Sequence, residues 1–547
     1  MPRWAEELLG LAAAVATSVG VVAMVAASAR SELMFRDGDS LVTTLVVQSV
    51  AAGQPQDWAM STVLFLPETA VLGMLTLFGL GVNGTLALAG IVNLVAFYGA
   101  LRVVAGSTAR VRAPIAGALL AFATFGLIAV SETSPSRDAL ELASLLTLTT
   151  YYSATVIGVV LAVGLARRAL DRRHRRNVGS GGSSRRYSAT DAAAADPRTT
   201  DPDASGAVPW TPVAVLGVVA AASVVTNPLF AAWATVPLGL VLVVTWALTR
   251  SGTALWLAGA LIAGTATGFV GRMPLAPLIA NTGAGYADPS RWAESLGYYG
   301  TLLAERWSAP WGAASALVLL ALWAWCVAAT AVLARRGDLG AAVVTAYGWV
   351  LPLLVVVGAI ALGTNAARYL QPAAFAPLLG LIVVPGLLSA RTRVAASTNP
   401  SRRSAVAVGF AGAGAVVLLI LAGAVGVPRI VTAVTAPDAD LDCVVEWVER
   451  SGRTGAGQFW TVRLPKAHLA DPRALVQVDH QLRGYAWLVN RDDFAVGEVS
   501  FLVLDAQSPA FDLPEGASVD DARHVSCGRY TIADFGDEAL PLGPQRS

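Results

Sequence analysis

Apolar and polar positions follow one another along this chain in long blocks, not in the short periods of a water-soluble domain. Uninterrupted apolar runs lie near 8–29, 62–81, 84–104, 113–130, 140–165, 208–226, 229–249, 253–270, 311–334, 340–361, 372–389 and 405–427. Each has the roughly 17–25 residues that a helix needs to cross a hydrocarbon layer. A backbone in lipid must satisfy its own N–H and C=O groups, so helices are the expected form for all of them. A shorter run, "LVTTLVVQSVAA" (41–52), is expected to be partly embedded unless a pair of the longer runs forms one bent helix. The first run follows Arg3 and ends in "AASA", which resembles a signal-peptidase site, but its length reads as an uncleaved anchor.

Two polar stretches break the pattern. Residues 177–207 are rich in Gly, Ser, Ala and Asp without apolar periodicity, and are expected to form a disordered cytoplasmic linker. From 436 to 547 shorter periods appear. There "LDCVVEWVERSG" has helical spacing and ends on Gly452, while "GQFWTVRLP", "ALVQVD", "YAWLVN" and "VSFLVLDA" read as strands. The expected fold class is therefore an α-helical polytopic membrane protein with a small C-terminal α/β domain. Its parts are a first helical set (1–176), the linker (177–207), a second helical set (208–435) and the lobe (436–547).

Composition agrees. Of the 547 residues, 55% are hydrophobic and 14% charged, with a mean hydropathy of +0.60. The net charge of +1 offers no polycationic surface, so a nucleic-acid partner is not expected. Lys466 is the one lysine among the basic residues, a bias that suggests a GC-rich bacterial genome.

Charge placement orients the chain. The clusters "RRALDRRHRR" (167–176), Arg250, "RRGD" (335–338) and "ARTRVAASTNPSRR" (390–403) are expected in the cytoplasm with the N-terminus. Segments 131–138, 271–310, 362–371 and everything after 428 then face outside, across a bacterial plasma membrane. The first half does not count evenly between its two cytoplasmic markers, so 11 or 13 crossings are expected, with 13 preferred. Cys326 sits in an apolar run. Cys443 and Cys527 both fall in the lobe, where a disulfide is expected if that lobe is external.

The polar residues that interrupt the outer ends are the candidate chemistry. In "FRDGDSL" (35–41), Asp39 or Ser40 is placed to cap a helix starting at Leu41, and Gly38 lets the chain turn. Asp37 is not needed for capping, and a carboxylate sheltered at a membrane surface has a raised pKa suited to a general base. Glu68, after Pro67, is an ionisable group near the start of an apolar run. In "SETSPSRDALEL", Arg137 and Glu141 are four apart and expected to pair on a helix. Tyr151 and Tyr152 read as packing or interfacial residues. Arg272, Arg291 and Arg306 lie in the long loop 271–310, whose stretch "PSRWAESLGYYGTLLAERW" is amphipathic and suited to the membrane plane. Arg368, Tyr369 and Gln371 precede Pro372 at the head of a late run. Such guanidiniums fork onto phosphate oxygens. Trp460, Tyr485 and Trp487 are expected in the core of the lobe. The histidines, His174, His468, His480 and His524, lack metal-site spacing.

The layout resembles the GT-C-type glycosyltransferases, integral membrane enzymes that use polyprenyl-phosphate-linked sugars. The resemblance rests on the N-terminal anchor, "FRDGDSL" in the first external loop, the late "RYLQP" stretch and the extracytoplasmic C-terminal lobe. The "H-P-P" element that many members carry before their second helix is absent, and "LFLPE" stands there. What the resemblance implies is transfer of a sugar from a polyprenyl-phosphate donor to a cell-envelope glycan or protein on the external face, with membrane lipids around the enzyme. It implies that Asp37 or Asp39 is the base, with Glu68 as a further candidate. Arg272, Arg291, Arg368 and Tyr369 would then bind the substrate. No cofactor is required, although Asp37, Asp39 and Glu68 offer oxygen ligands to a divalent Mg or Mn ion, as in some members. Two rival readings stand beside it: a non-catalytic membrane protein that binds a glycan or partner through the lobe, and a lipid or solute transporter.

Overall fold

The computed structural model describes residues 3–107, 113–182, 210–281, 283–392, 414–513 and 517–546. Nine helices among the described residues are long and apolar enough to cross a membrane. Four shorter apolar helices accompany them: Val42–Ala51, Leu66–Phe78, Pro114–Val130 and Trp210–Thr226. The chain is thus mostly helical, with apolar helices of membrane-crossing length and a small β-containing region at its C-terminal end. Most of the expected linker lies outside the described residues, as do all but the first three residues of the 390–403 basic cluster and the start of the 405–427 run. Helix Ser153–Gly182 extends into the first residues of that linker.

Polar contacts mark the two ends of the helical body. At one end Arg102 Nε donates to Glu7 at 2.9 Å, and Arg167 and Arg168 donate to the carbonyls of Val104 and Val103. At the other end Arg30 Nε donates to Ser144 at 2.9 Å, and Leu64 N–H donates to the Thr226 carbonyl at 2.9 Å. The expected run 62–81 starts at this second end and does not leave it. Its helix is short, and Gly81–Val104 then starts beside Phe35 and carries Arg102 in its last turn at the opposite end. Val42–Ala51 and Leu66–Phe78 are therefore paired helices at one end of the body.

Two other runs are shorter as helices than their apolarity suggests. The run from 140 becomes helical only at Ser153, because residues 131–147 are folded around a buried charge cluster. Glu132 accepts hydrogen bonds from Ser144 N–H and Oγ, each at 2.7 Å, and faces Arg306 at 3.5 Å. The run 372–389 is broken into Pro372–Phe375, a tighter turn over Pro377–Val383, and Val384–Thr392. Proline removes a backbone donor and crowds the preceding turn, and three of them fall here.

The lobe is a seven-stranded mixed sheet. In spatial order its strands are Gly543–Arg546, Arg483–Tyr485, Leu475–Val478, Gly455–Gln458, Phe501–Leu504, Tyr530–Asp534 and Arg523–Cys527. Gly455–Gln458 pairs in parallel with both neighbours, and the last three strands pair antiparallel. Helix Ala439–Ser451 ends on Gly452 in the left-handed conformation and packs Val444 and Val448 against Phe501, Val503 and Ile532. Cys443 and Cys527 form a disulfide, with Cα atoms 5.5 Å apart. The stretch "GQFWTVRLP" is not one strand: the chain leaves the sheet at Gln458 and continues as helix Phe459–His468. "YAWLVN" is likewise divided between two short strands.

The lobe sits on residues 48–59. Trp58–Ala59 pairs antiparallel with Val489–Asn490, Arg491 meets Asp57 at 2.8 Å, and Gln48 donates to the Ala467 carbonyl at 2.8 Å. Together with the Arg30–Ser144, Glu132–Arg306 and Asp39–Arg368 contacts, these bonds place 36–58, 131–152, 272–310, 362–371 and the lobe at one end of the body.

Candidate active site

At that end a cavity of about 520 Å³ opens between four loops and the lobe. Its walls carry Asp39, Arg137, Asp138, Arg291 and Arg368, with Tyr286, Tyr369, Trp460 and Trp487. The volume is in the range of a small-molecule site, and the mix of charges and aromatic faces is that of a site for a polar ligand.

The first loop supplies the carboxylates. Residues 32–36 form a widened helical turn, after which Asp37 turns to extended backbone. Helix Val42–Ala51 has no side-chain cap, so Asp39 is not spent on it and faces the cavity instead. Gly38 is needed for a different reason than turning. A Cβ there would stand 3.1–3.2 Å from Phe459, Arg463 and Trp460, so glycine lets the lobe close onto the loop. Arg463, wholly buried, donates from Nε to the Gly38 carbonyl at 2.8 Å and from Nη1 to the Leu488 carbonyl at 2.6 Å. Burial pushes its pKa down to about 10, against the raising effect of Asp39 and Asp37.

Asp37 lies just behind the wall. Its Oδ2 accepts from the Tyr151 hydroxyl at 3.1 Å and the Ser40 N–H at 3.3 Å, and its Oδ1 is 3.4 Å from Arg137. Its carboxyl is pushed up to about 7, first by burial and then by the Asp39 charge, with Arg137, Tyr151 and Ser40 opposing. Asp39 faces Arg368 at 3.6 Å. Arg137 does not pair with Glu141 as expected, because 137–140 is not helical. It crosses to Asp37 and lays its guanidinium 3.6 Å above the Trp460 ring. Such stacking holds a cation while leaving its edge donors open.

The expected phosphate-binding residues divide. Arg368 and Tyr369 line the cavity, and the Nε of Arg368 is buried with no partner among the described residues. Arg291 also lines it, held at the rim by Glu294, whose Oε2 accepts from Nε at 2.8 Å. Arg272 is not brought to the cavity. Its Nη1 donates to the Val225 carbonyl at 2.7 Å and its Nη2 to the Thr62 carbonyl at 2.6 Å. It satisfies the last carbonyls of a neighbouring helix, which have no partner within it. Glu68 is also elsewhere. It occupies the first turn of Leu66–Leu75 and accepts from Ala154 N–H at 3.1 Å, serving two helix N-termini. Asp37, Asp39 and Glu68 are not gathered as metal ligands, and no group of three or more acids, histidines or cysteines among the described residues is placed to hold an ion.

Trp460 and Trp487, expected in the core of the lobe, line the cavity. Trp460 lies in the first turn of the helix that follows the central parallel strand, and the carboxyl ends of such strands are where α/β sheets present ligands. Tyr152, with φ of 64°, is strained beside Tyr151, a backbone cost that clusters at functional sites. The adjacent tyrosines and the tryptophan after a strand were visible in the sequence, but their pairing with Asp37 and Arg137 was not.

No known family model and no curated protein matches this chain.

Proposed function

We propose that this cavity is the active site of a glycosyltransferase that moves a sugar from a polyprenyl-phosphate donor to a hydroxyl of a cell-envelope glycan or protein. The observation that carries the reading is the meeting of Asp39 with Arg368 in one pocket with Arg137, Arg291 and four aromatic rings. Carboxylate, cations and flat apolar faces are what this reaction needs together. In the step, the acceptor oxygen bonds to the anomeric carbon as the bond from that carbon to the phosphate oxygen breaks. The electron pair leaves with the polyprenyl phosphate, and the acceptor proton passes to a carboxylate.

Asp39 is the base in this reading because it faces the cavity. Asp37 is a positioning residue that holds Arg137. The guanidiniums meet the charge that grows on the departing phosphate, and such fixed donors are worth about 10²–10³ in rate each. A gap of 3.6 Å leaves no room for a sugar between Asp39 and Arg368, so donor entry must part the pair. The phosphate then takes over Arg368 and releases the carboxylate for proton transfer.

The membrane arrangement follows from the same reading. Adding Pro114–Val130 and Trp210–Thr226 to the nine longer helices brings the crossings to 11. Val42–Ala51 and Leu66–Phe78 stay on the lobe's side. An odd number sets the lobe opposite the N-terminus, and Arg167, Arg168, Arg335 and Arg336 at the N-terminal side orient that side to the cytoplasm. The lobe is then outside a bacterial plasma membrane, where its disulfide persists.

The test is an envelope glycan profile of a deletion strain complemented with wild type, Asp39→Asn or Asp37→Asn. Asp39→Asn is expected to reach the membrane at wild-type level and fail to restore the missing glycan. Full restoration by both variants and by the double variant would remove the transfer reading and leave the lobe as a binding module.

A further inference from the structure

A second cavity, of about 500 Å³, lies on the other side of the first outer loop from the Asp39 pocket. The first apolar helix, the helix ending at Val434 and the lobe meet around it, and its wall includes Arg36, Asn83, Arg429, Asp438 and His468. Most of this charge is already matched. Arg36 faces Asp438 at 3.2 Å and also pairs with Glu32, and Asp438 takes a further bond from Arg529 at 3.0 Å.

Three groups are left over. Arg429 has no carboxylate within ion-pair distance among the described residues, and its Nη1 contact is the soft sulfur of Met24 at 2.9 Å. The Asn83 Oδ1 and the His468 Nε2 are both buried with no hydrogen-bond partner among the described residues. Leaving such atoms unpaired costs about 1–3 kcal/mol each, so a cavity that gathers two of them beside an unmatched cation is built for an occupant. The cation sets the sign of that occupant: it is an anion with oxygen acceptors. The surroundings set its form. Next to Arg429, Val425, Val427 and Val431 are exposed on the same apolar helix, and Met24 is exposed on the facing one, so the mouth of the cavity borders hydrocarbon.

We propose that this cavity binds the phosphate headgroup of an anionic phospholipid, with the acyl chains lying along the exposed faces of the two helices. Arg429 forks onto the phosphate, His468 donates from Nε2, and Asn83, whose amide oxygen accepts, takes a headgroup hydroxyl. The site is independent of the transfer reading and stands if that reading falls.

The full chain, purified in a neutral detergent, is offered equal amounts of phosphatidylglycerol and phosphatidylcholine, and the retained lipid is counted by native mass spectrometry. Wild type is expected to keep phosphatidylglycerol in excess. Arg429→Gln, an exposed position whose change leaves the fold intact, is expected to lower that excess about tenfold, the loss from one charge-assisted contact. Arg429→Lys is expected to restore part of it. A parallel arm adds inorganic phosphate: failure to displace phosphatidylglycerol supports a lipid headgroup, while full displacement at millimolar phosphate assigns the site to free phosphate and overturns the lipid. Equal retention of the two lipids by wild type, or an undiminished excess in Arg429→Gln, also overturns the proposal.

Discussion

Arg272 and Arg368 begin with equal credentials. Both are arginines at the lobe-side end of an apolar helix, and both are suited by type to a phosphate. Arg272 is spent on the carbonyls of Val225 and Thr62 and ties its own helix end to one loop and to the end of a neighbouring helix. Arg368 faces Asp39 across 3.6 Å, is hydrogen-bonded to the Tyr152 side chain, and keeps a buried Nε without a partner among the described residues. The difference is one of surplus. A cation whose guanidinium is held by backbone carbonyls is part of the frame, and one with a buried donor left over is available to a ligand.

The comparison can be broken most directly by exchanging the two roles. Arg368→Gln is expected to lower the transfer rate by about 10²–10³ while leaving the thermal midpoint near wild type. Arg272→Met is expected to cost about 2–3 kcal/mol of stability by leaving buried carbonyls unpaired, with activity per folded molecule retained. If the two variants lose stability and activity in the same proportion, the distinction between frame and site fails.

A smaller effect separates Asp37 from Asp39. The Asp37 carboxyl is raised from 3.8 to about 7 in the folded chain. Below pH 4 both states are protonated and the full contribution is present. As pH climbs toward 7 the unfolded chain has released its proton while the folded one still holds it, so stability falls. Relative to Asp37→Asn, wild type is expected to lose about 2 kcal/mol between pH 5 and 7, read from chemical unfolding at each pH. Parallel pH profiles would show that Asp37 is not held protonated.

The smallest expected effect concerns the stack of Arg137 on Trp460. A double-mutant cycle with Arg137→Gln and Trp460→Ala is expected to give a coupling of about 1 kcal/mol in thermal unfolding, the size of a partly desolvated cation–π contact. Additive effects would mean that the lobe does not hold this cation.

Much of the helical body was legible, because apolar run length has one meaning in lipid. The misreadings have a common cause. The runs at 62–81, 140–165 and 372–389 are apolar enough to cross whole, yet helix caps, the buried Arg30–Glu132–Arg306 cluster and three prolines shorten or bend them. In the lobe, helix Ala439–Ser451 and strands Leu475–Val478 and Phe501–Leu504 were readable from their periods. Helix Phe459–His468 was not, since its strand-like residues, Phe459, Trp460, Thr461 and Val462, follow a real strand without a break.

For the candidate site the division is sharper. By itself the sequence determined that carboxylates and arginines stand at the ends of the apolar runs, because charge is expelled from hydrocarbon wherever it stands. It could not decide which of them meet. Arg137 was within helical reach of Glu141 and instead crosses to Asp37, 100 positions away in the chain. Trp460, placed by its pattern in a sheet core, comes to lie under that guanidinium. Only tertiary structure decides such pairings: a buried charge must find its complement wherever packing brings one, and separation along the chain carries no information about that.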